Sequence, residues 1–499
     1  MLFKGREVMN GISSIVEFIA VNSLKYPQRL CVADATIELT YSDMWECITG
    51  FANELCKYGL CKGDCVVVEC NQSVNYFVCE MAVQLAGGIF VPIEKNAALT
   101  RIEEIAAETD AKIHIANRIC ESLNKIKHID ISEAVVHRSA AAVNASKFPA
   151  GEDIAEILFS TGTTGKSKGI VLTHRNDTAL AENVKYGTAM KPDNVELIPM
   201  PLSHSHGLRR TYGNMLNGSS VVFVDGVMFL KRVFEMMDRY KVTSMDISPA
   251  MLSIIFKLGK DSIANYANQL DYIQLGSAPL PEEDKLHLSA LLPHTRLYNF
   301  YGSTEAGCSC ILDFNSMSGK KGCIGKPTVN AKFIVVDDNR NVINSSPDNL
   351  GLLASAGDIN MKEYFNEPEL TAQTLIDGYI YTKDLGYIDE DGYVYMLGRK
   401  DDVINYGGIK ISPEEIEAVV RTNPIIKDCA CVGKADAISG QVPKLFVVLE
   451  DSEEYEAKSF KRFLTDTIDA NKQPAQIEII DEIPRTFNGK IIRKELIKR

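Results

Sequence analysis

The sequence predicts an α/β fold: a large N-terminal domain of two sheet-and-helix subdomains plus a small β-barrel, then a small α+β C-terminal domain. Three observations predict it. Apolar strand-like runs alternate with helical stretches through residues 36–92 and again through 219–275, the rhythm of a parallel sheet covered on its faces. From about Cys323 the texture changes to short β segments separated by Asp-Asn, Asp-Gly and Ser-Pro turns. After Gly398-Arg-Lys-Asp-Asp402 a unit of about a hundred residues reads strand, helix, strand, helix and basic tail, a size that supports independent folding. The expected boundaries are 1–398 for the large domain, with subdomains of about 1–170 and 171–322 and the barrel at about 323–398, then 399–402 as connection and 403–499 as the small domain. At 499 residues the chain exceeds one ordinary core.

In chain order, residues 15–24 read as the first helix. Residues 36–41 alternate like a strand, and Ser42 is expected to cap a helix over 43–58. Residues 64–70 form a buried strand, 76–87 a helix and 88–92 a short strand. Further on, 219–224, 242–247, 272–275 and 296–301 read as strands, with helices over 230–240 and 249–257 between them; 184–189 has no clear assignment. The barrel is expected to include 333–337, 351–354 and 392–397, and the small domain a helix over 413–421.

Composition narrows the function classes. With 45% hydrophobic and 24% charged residues the chain reads as a soluble globular protein. Its charge, 53 − 66 = −13, argues against nucleic acid as a partner. Thirteen cysteines are scattered without a CxxC pair, the pattern of reduced thiols used as small apolar residues. Glu17 and Asn22 interrupt the first apolar stretch, so an amphipathic helix is expected there rather than a signal peptide. No run is long enough for a membrane span, and a cytoplasmic location is expected. Oligomeric state, monomer or homodimer, stays open.

The chemistry centres on Ile157-Leu-Phe-Ser-Thr-Gly-Thr-Thr-Gly-Lys-Ser-Lys-Gly-Ile-Val-Leu172. Two apolar runs bracket a loop of small, hydroxylated and glycine residues. Ser160, Thr161, Gly162, Thr163, Thr164 and Gly165 suit backbone and hydroxyl contacts to a triphosphate, and Lys166 and Lys168 add charge. A P-loop reading fails, because Ser160 stands where that motif needs glycine and the following stretch is β-rich. A flexible surface loop is the bland alternative.

Three further stretches carry chemistry. Tyr301-Gly-Ser-Thr-Glu-Ala-Gly307 ends a strand with one carboxylate, Glu305, able to hold a Mg²⁺ that bridges phosphates; an exposed turn glutamate is the alternative. Asp384 in Tyr381-Thr-Lys-Asp-Leu-Gly386 suits a ribose diol, with Arg399 fifteen residues later. Pro484-Arg-Thr-Phe-Asn-Gly-Lys490 alone reads as a solvated basic tail.

Taken in this order and spacing, these stretches resemble the adenylate-forming superfamily, which holds acyl- and aryl-CoA ligases, adenylation domains of peptide synthetases and firefly luciferase. The resemblance starts at Leu39-Thr-Tyr-Ser-Asp43 and Gly88-Ile-Phe-Val-Pro92 and runs to Lys490. It implies that residues Ser160 to Lys168 grip the β- and γ-phosphates of ATP, and that Gly276-Ser277-Ala278-Pro279 packs beside adenine. It further implies that Tyr301 and Gly302 flank the nucleotide, Thr304 contacts the α-phosphate, Glu305 binds magnesium, and Asp384 with Arg399 holds the ribose. Lys490 becomes the lysine of a mobile C-terminal lid that reaches between carboxylate and α-phosphate, Asp401 the hinge, and Gly407 and Gly408 part of the face that approaches for thiol transfer.

The implied activity is acid–thiol ligation through an acyl-adenylate, with ATP, Mg²⁺ and coenzyme A. A carrier-protein phosphopantetheine is the alternative acceptor, and an acyl carrier protein then becomes a partner. Pro201-Leu-Ser-His-Ser-His-Gly207 resembles the Pro-Leu-aromatic-His segment of CoA ligases and lacks the Phe-Asp pair of amino-acid-activating domains. By position His204, His206, Arg210, Asp246, Phe300 and Cys308 are expected at the acyl pocket, with Gly276. Phe300 replaces the glycine of coumarate-type members, implying a small aromatic or short polar acid that His206 or Arg210 contacts. The bland alternative makes Arg209 and Arg210 surface residues of a helix. Asn405 and Lys410 depart from the lysine and glutamine of coumarate-type members, so the thiolation face is less defined. A catalytically inactive nucleotide-binding protein is the alternative of another class.

Overall fold

The computed structural model describes residues 12–140, 148–160, 167–316, 320, 322–407, 409–436, 439–450, 455–485 and 491–499. Two large sheets and one small sheet organise them. The first has seven strands in the order Glu363–Tyr364, Lys168–Thr173, Ile154–Ser160, Ile89–Ile93, Cys65–Glu69, Ile113–Ala116 and Lys127–Asp130. The last five run parallel, and Cys65–Glu69, Ile89–Ile93 and Ile113–Ala116 are buried along their whole length. Helices on both faces explain why these strands read as continuous apolar runs instead of alternating. Ile154–Ser160 and Lys168–Thr173 form an antiparallel hairpin around the glycine-rich loop, as the flanking apolar runs predict. Its residues 161–166 lie outside the described residues.

The second sheet is built along Glu38–Thr40, Leu30–Ala33, Ser220–Phe223, Val195–Ile198, Ser244–Ile247, Tyr272–Leu275 and Arg296–Ser303, parallel after the first pair. It then turns antiparallel through Gly307–Asp313 and Cys323–Pro327 into the late strands Val394–Arg399, Tyr379–Ile388, Gly351–Ala356 and Lys332–Val336. Cys323–Pro327 therefore joins the late antiparallel strands to the parallel sheet. The expected division near residue 170 falls inside the strand Lys168–Thr173, and the two earliest strands belong to the second sheet. Sequence order and sheet membership interleave.

Local chemistry sets the helix starts. Thr40, not Ser42, caps the helix Tyr41–Lys57, because Asp43 at the third position bonds back to the cap and completes a reciprocal box. Ser73 caps Val74–Leu85, two residues before the expected start. The unassigned stretch 184–189 belongs to the helix His174–Gly187 and its C-cap.

Among the described residues the small domain has five strands: Ile409–Ile411, Ile404–Tyr406, Gly440–Leu449 and Ile426–Asp436 in order, with Gln476–Ile479 paired to Gly440–Leu449. Pro413–Val420 and Ala457–Thr467 share a core with this sheet through Ile416, Val420, Phe460 and Leu464. Arg493, in the last helix, is buried; it bonds to Glu417, to Glu414 at 2.8 Å and to the Cys431 carbonyl at 2.7 Å. Arg485 and Ile491 pair across the neck of the loop that carries Lys490, which itself lies outside the described residues.

Candidate active site

The parallel strands of the second sheet end where the candidate residues collect. Tyr301 and Gly302 sit on the strand Arg296–Ser303, which turns sharply into Gly307–Asp313. A Cβ at Gly302 would lie 1.9 Å from the Gly307 carbonyl oxygen, so only glycine permits this turn. The Tyr301 hydroxyl donates to Asp384 Oδ2, and burial followed by that carboxylate pushes the phenol well up, keeping it a donor. Asp384 faces Arg399 across the strand pair Tyr379–Ile388 and Val394–Arg399, with Arg399 Nε 3.6 Å from Asp384 Oδ1. The stretch that carries Tyr301 and the one that carries Asp384 and Arg399 thus meet.

Glu305 follows on the same turn. Its Oε1 accepts from the Tyr364 hydroxyl at 2.9 Å, leaving Oε2 without a hydrogen-bond partner among the described residues. Burial, then the adjacent carboxylate, pushes the Tyr364 phenol up. The Glu305 carbonyl accepts from the Met361 amide at 2.7 Å. Lys168, at the end of the phosphate loop, places its ammonium 5.7 Å from the centre of the Tyr364 ring. This donor set fits magnesium: one partly buried carboxylate with an oxygen to spare among the described residues. No group of three or more His, Cys, Asp and Glu arranged for a metal occurs among the described residues. Thr304 Oγ1 lies 3.4 Å from Ser205 Oγ, linking this turn to the next helix.

That helix, Ser205–Asn217, lies over a polar face of the second sheet. Alternate residues of adjacent strands share this face: Glu196, Ser244 and Asp246, Tyr272 and Gln274, then Tyr298 and Phe300. His206 Nε2 is 2.8 Å from Asp246 Oδ1 and 3.1 Å from the Gln274 amide nitrogen; Nδ1 is 2.6 Å from Ser277 Oγ. Ser277 holds a left-handed φ of 73°, beside Ala278. A Cβ at Gly276 would come within 3.2 Å of His206 Cε1 and 3.4 Å of the Phe300 carbonyl, so the glycine opens this corner. The Phe300 ring reaches the helix His174–Gly187, where a Cβ on Gly187 would lie 3.3 Å from its tip. Cys308 stays a thiol, pushed up to about 11 by burial. Burial also lowers the His204 imidazole, whose Nε2 has no hydrogen-bond partner among the described residues.

Arg209 and Arg210 are both buried, which overturns the surface-helix alternative. Arg210 donates from Nε to Glu196 at 2.7 Å and from Nη2 to the Tyr272 hydroxyl at 2.9 Å, tied into the sheet; Nη1 has no partner among the described residues. Arg209 Nη1 lies 3.3 Å from Glu156. Sequence reasoning missed Tyr364, Gln274 and Glu196. The last had a visible signal, an acid in an apolar strand. Lys383 bonds to Asp401, the expected hinge residue, at 3.0 Å and holds its carboxyl below the usual range. Gly407 adopts φ 57°, and Gly408 lies outside the described residues.

Comparison with known proteins agrees with this layout. A family model described as AMP-binding enzyme matches residues 19–365, and one described as AMP-binding enzyme C-terminal domain matches 415–490. A 4-coumarate–CoA ligase of Vanilla planifolia is 28% identical, over 96% of this chain and 92% of its own length. A 2-succinylbenzoate–CoA ligase of Geobacillus sp. (strain WCH70) is 28% identical over 97% of both. Among solved structures, ATP-bound MatB from Rhodopseudomonas palustris superposes with a TM-score of 0.85 at 23% identity, covering 97% of this chain and 98% of that one. The anthranilate CoA ligase AuaEII reaches 0.84 at 20% identity, covering 97% and 96%; at these identities the likeness speaks for the fold. No helix among the described residues is long and apolar enough to cross a membrane. The chain belongs to the AMP-binding enzyme family, the adenylate-forming superfamily, and stands close to its acyl- and aryl-CoA synthetases.

Proposed function

We propose that the protein is an AMP-forming acid–thiol ligase. It joins a carboxylic acid to ATP, releases pyrophosphate, and passes the acyl group from the acyl-adenylate to the thiol of coenzyme A. The observation that supports this reading is the meeting of Tyr301, four residues before Glu305 in its motif, with Asp384 and Arg399 from a stretch about eighty residues later.

Both reactants are anions, so repulsion opposes attack of the carboxylate oxygen on the α-phosphorus. The Asp384 carboxylate takes the ribose hydroxyls, with Arg399 beside it and Tyr301 fixing its second oxygen. Thr304 contacts the α-phosphate, and Lys166, Lys168 and the hydroxyls of residues 160–164 hold the departing pyrophosphate. Glu305 holds magnesium, which neutralises phosphate charge. Lys490 brings a second cation to the carboxylate and α-phosphate; preorganised donors of this kind contribute roughly 2.7–4 kcal/mol each. As the new C–O–P linkage forms, the bond to the β-phosphate breaks. In the second half-reaction thiolate attacks the acyl carbonyl and AMP leaves with the electron pair. Lys490 serves only the first step, so rotation of the small domain about Asp401 brings the Gly407–Gly408 face in its place.

The acid is small. The Phe300 ring packs toward Gly187, and the hydrogen-bonded His206–Ser277 pair lies beside Gly276, which favours a small aromatic or short polar acid. Exchange of labelled pyrophosphate into ATP, screened over a panel of acids, tests the proposal: benzoates and short acids are expected to support exchange. No acid-dependent exchange, or a preference for long fatty acids, contradicts it.

A further inference from the structure

The segment Met361-Lys-Glu-Tyr-Phe365 carries no role in the motifs above, yet it is stitched to both halves of the phosphate site. On one side it pairs antiparallel with the strand that leaves the phosphate loop: Tyr364 opposite Ile170, Glu363 opposite Val171. The Phe365 amide donates to the Gly169 carbonyl at 2.7 Å and the Lys362 amide to Val171 at 2.9 Å. Gly169 permits this approach, since a Cβ there would lie 2.9 Å from Phe365 Cβ. On the other side the Met361 amide holds the Glu305 carbonyl, and the Tyr364 hydroxyl holds Glu305 Oε1. Tyr364 is 6% exposed, and its amide accepts no freedom either, donating to Thr371 Oγ1 at 2.9 Å.

We propose that Tyr364 is a positioning residue for magnesium, resting on the reading that Glu305 is the metal carboxylate. Its hydroxyl occupies one Glu305 oxygen and fixes the carboxylate plane, so that the other oxygen meets the ion at a set distance from the phosphate loop. The same backbone ladder ties that loop's exit strand to Glu305, and metal and phosphates are held in one frame. A carboxylate without this donor rotates, and its preferred orientation is lost before the ion arrives. Outer partners of metal ligands typically contribute 10–100-fold in metal affinity.

Calorimetric titration of the full chain with ATP, in excess Mg²⁺ and in EDTA with no acid present, separates the possibilities without turnover. For Tyr364→Phe, which keeps the packed ring, we expect the tightening of ATP binding by Mg²⁺ to fall roughly tenfold or more. ATP affinity in EDTA and the unfolding temperature stay close to wild type. Mg²⁺ tightening retained within about twofold in Tyr364→Phe, while Glu305→Gln abolishes it, overturns the positioning role and leaves the metal reading intact. Equal weakening of ATP binding with and without Mg²⁺ also overturns it, because a merely structural role acts that way. Mg²⁺ tightening that survives in Glu305→Gln removes the metal reading itself.

Discussion

Arg209 shows how much one side chain settles beneath this site. It lies in the core with Glu156, Asp177 and Glu80 around it, and the Tyr212 hydroxyl donates to Glu80 and, at 3.0 Å, to Glu156. Three carboxylates share one guanidinium away from water. Burial, then the Glu156 charge, pushes Glu80 and Asp177 well above the usual carboxylate range. Raised folded-state values mean that the fold binds protons more tightly than the unfolded chain. Their stabilising contribution is complete below the unfolded carboxylate value near 4.3 and is lost as pH rises toward the folded values. Glu80→Gln removes one such group, so its unfolding temperature is expected to gain on wild type as pH rises from about 5 to about 8, followed by thermal melts. A second prediction concerns the pocket. Phe300→Ala should shift the ratio of kcat/KM for a bulkier over a smaller acid by roughly tenfold or more toward the bulkier one, measured by pyrophosphate exchange. Neither the buried arginines nor their acids were readable from local pattern. Charged residues on a helix normally face water, and only the coincidence of Glu80, Glu156 and Glu196 in apolar elements with two helical arginines hints at internal pairing.

Among elements, the long apolar strands and the hairpin around the phosphate loop were legible because burial on both faces leaves an unmistakable run. The strand Glu363–Tyr364 was not. Two residues long and flanked by polar ones, it has no periodicity, and its existence depends on the neighbouring strand Lys168–Thr173. The cap at Thr40 was missed by two residues because the deciding partner, Asp43, acts from inside the helix. At the other end of the chain, Arg493 anchors the last helix to Pro413–Val420 three residues after Lys490. Replacing it with alanine leaves the buried Glu417 with only Arg421, 3.5 Å away, and the Cys431 amide among the described residues, a loss on the order of 3 kcal/mol. Arg493→Ala is therefore expected to lower the small domain's resistance to proteolysis. Adenylation should slow as well, since the segment bearing Lys490 loses its anchor; rapid-quench measurement of acyl-adenylate formation reads that loss.

For the whole molecule, the account depends on dividing labour between a fixed nucleotide corner and a cation delivered by the tail. The Tyr301–Asp384–Arg399 corner belongs to the large domain, whereas Lys490 belongs to the small one, across the hinge at Asp401. Order and spacing of motifs suggest this arrangement from sequence; in the structure Tyr301 and Arg399 lie toward strand ends, whereas Asp384 lies inside the strand Tyr379–Ile388. The interleaving of early and late strands between the sheets was not legible there, since pairing of Leu30–Ala33 with Ser220–Phe223 spans nearly two hundred residues. The most direct test measures both half-reactions of Lys490→Ala. Acid-dependent pyrophosphate–ATP exchange should be abolished, while acyl-adenylate supplied from outside should still yield thioester with coenzyme A at near wild-type rate. Equal loss of both steps, or exchange that survives without the lysine, contradicts the account.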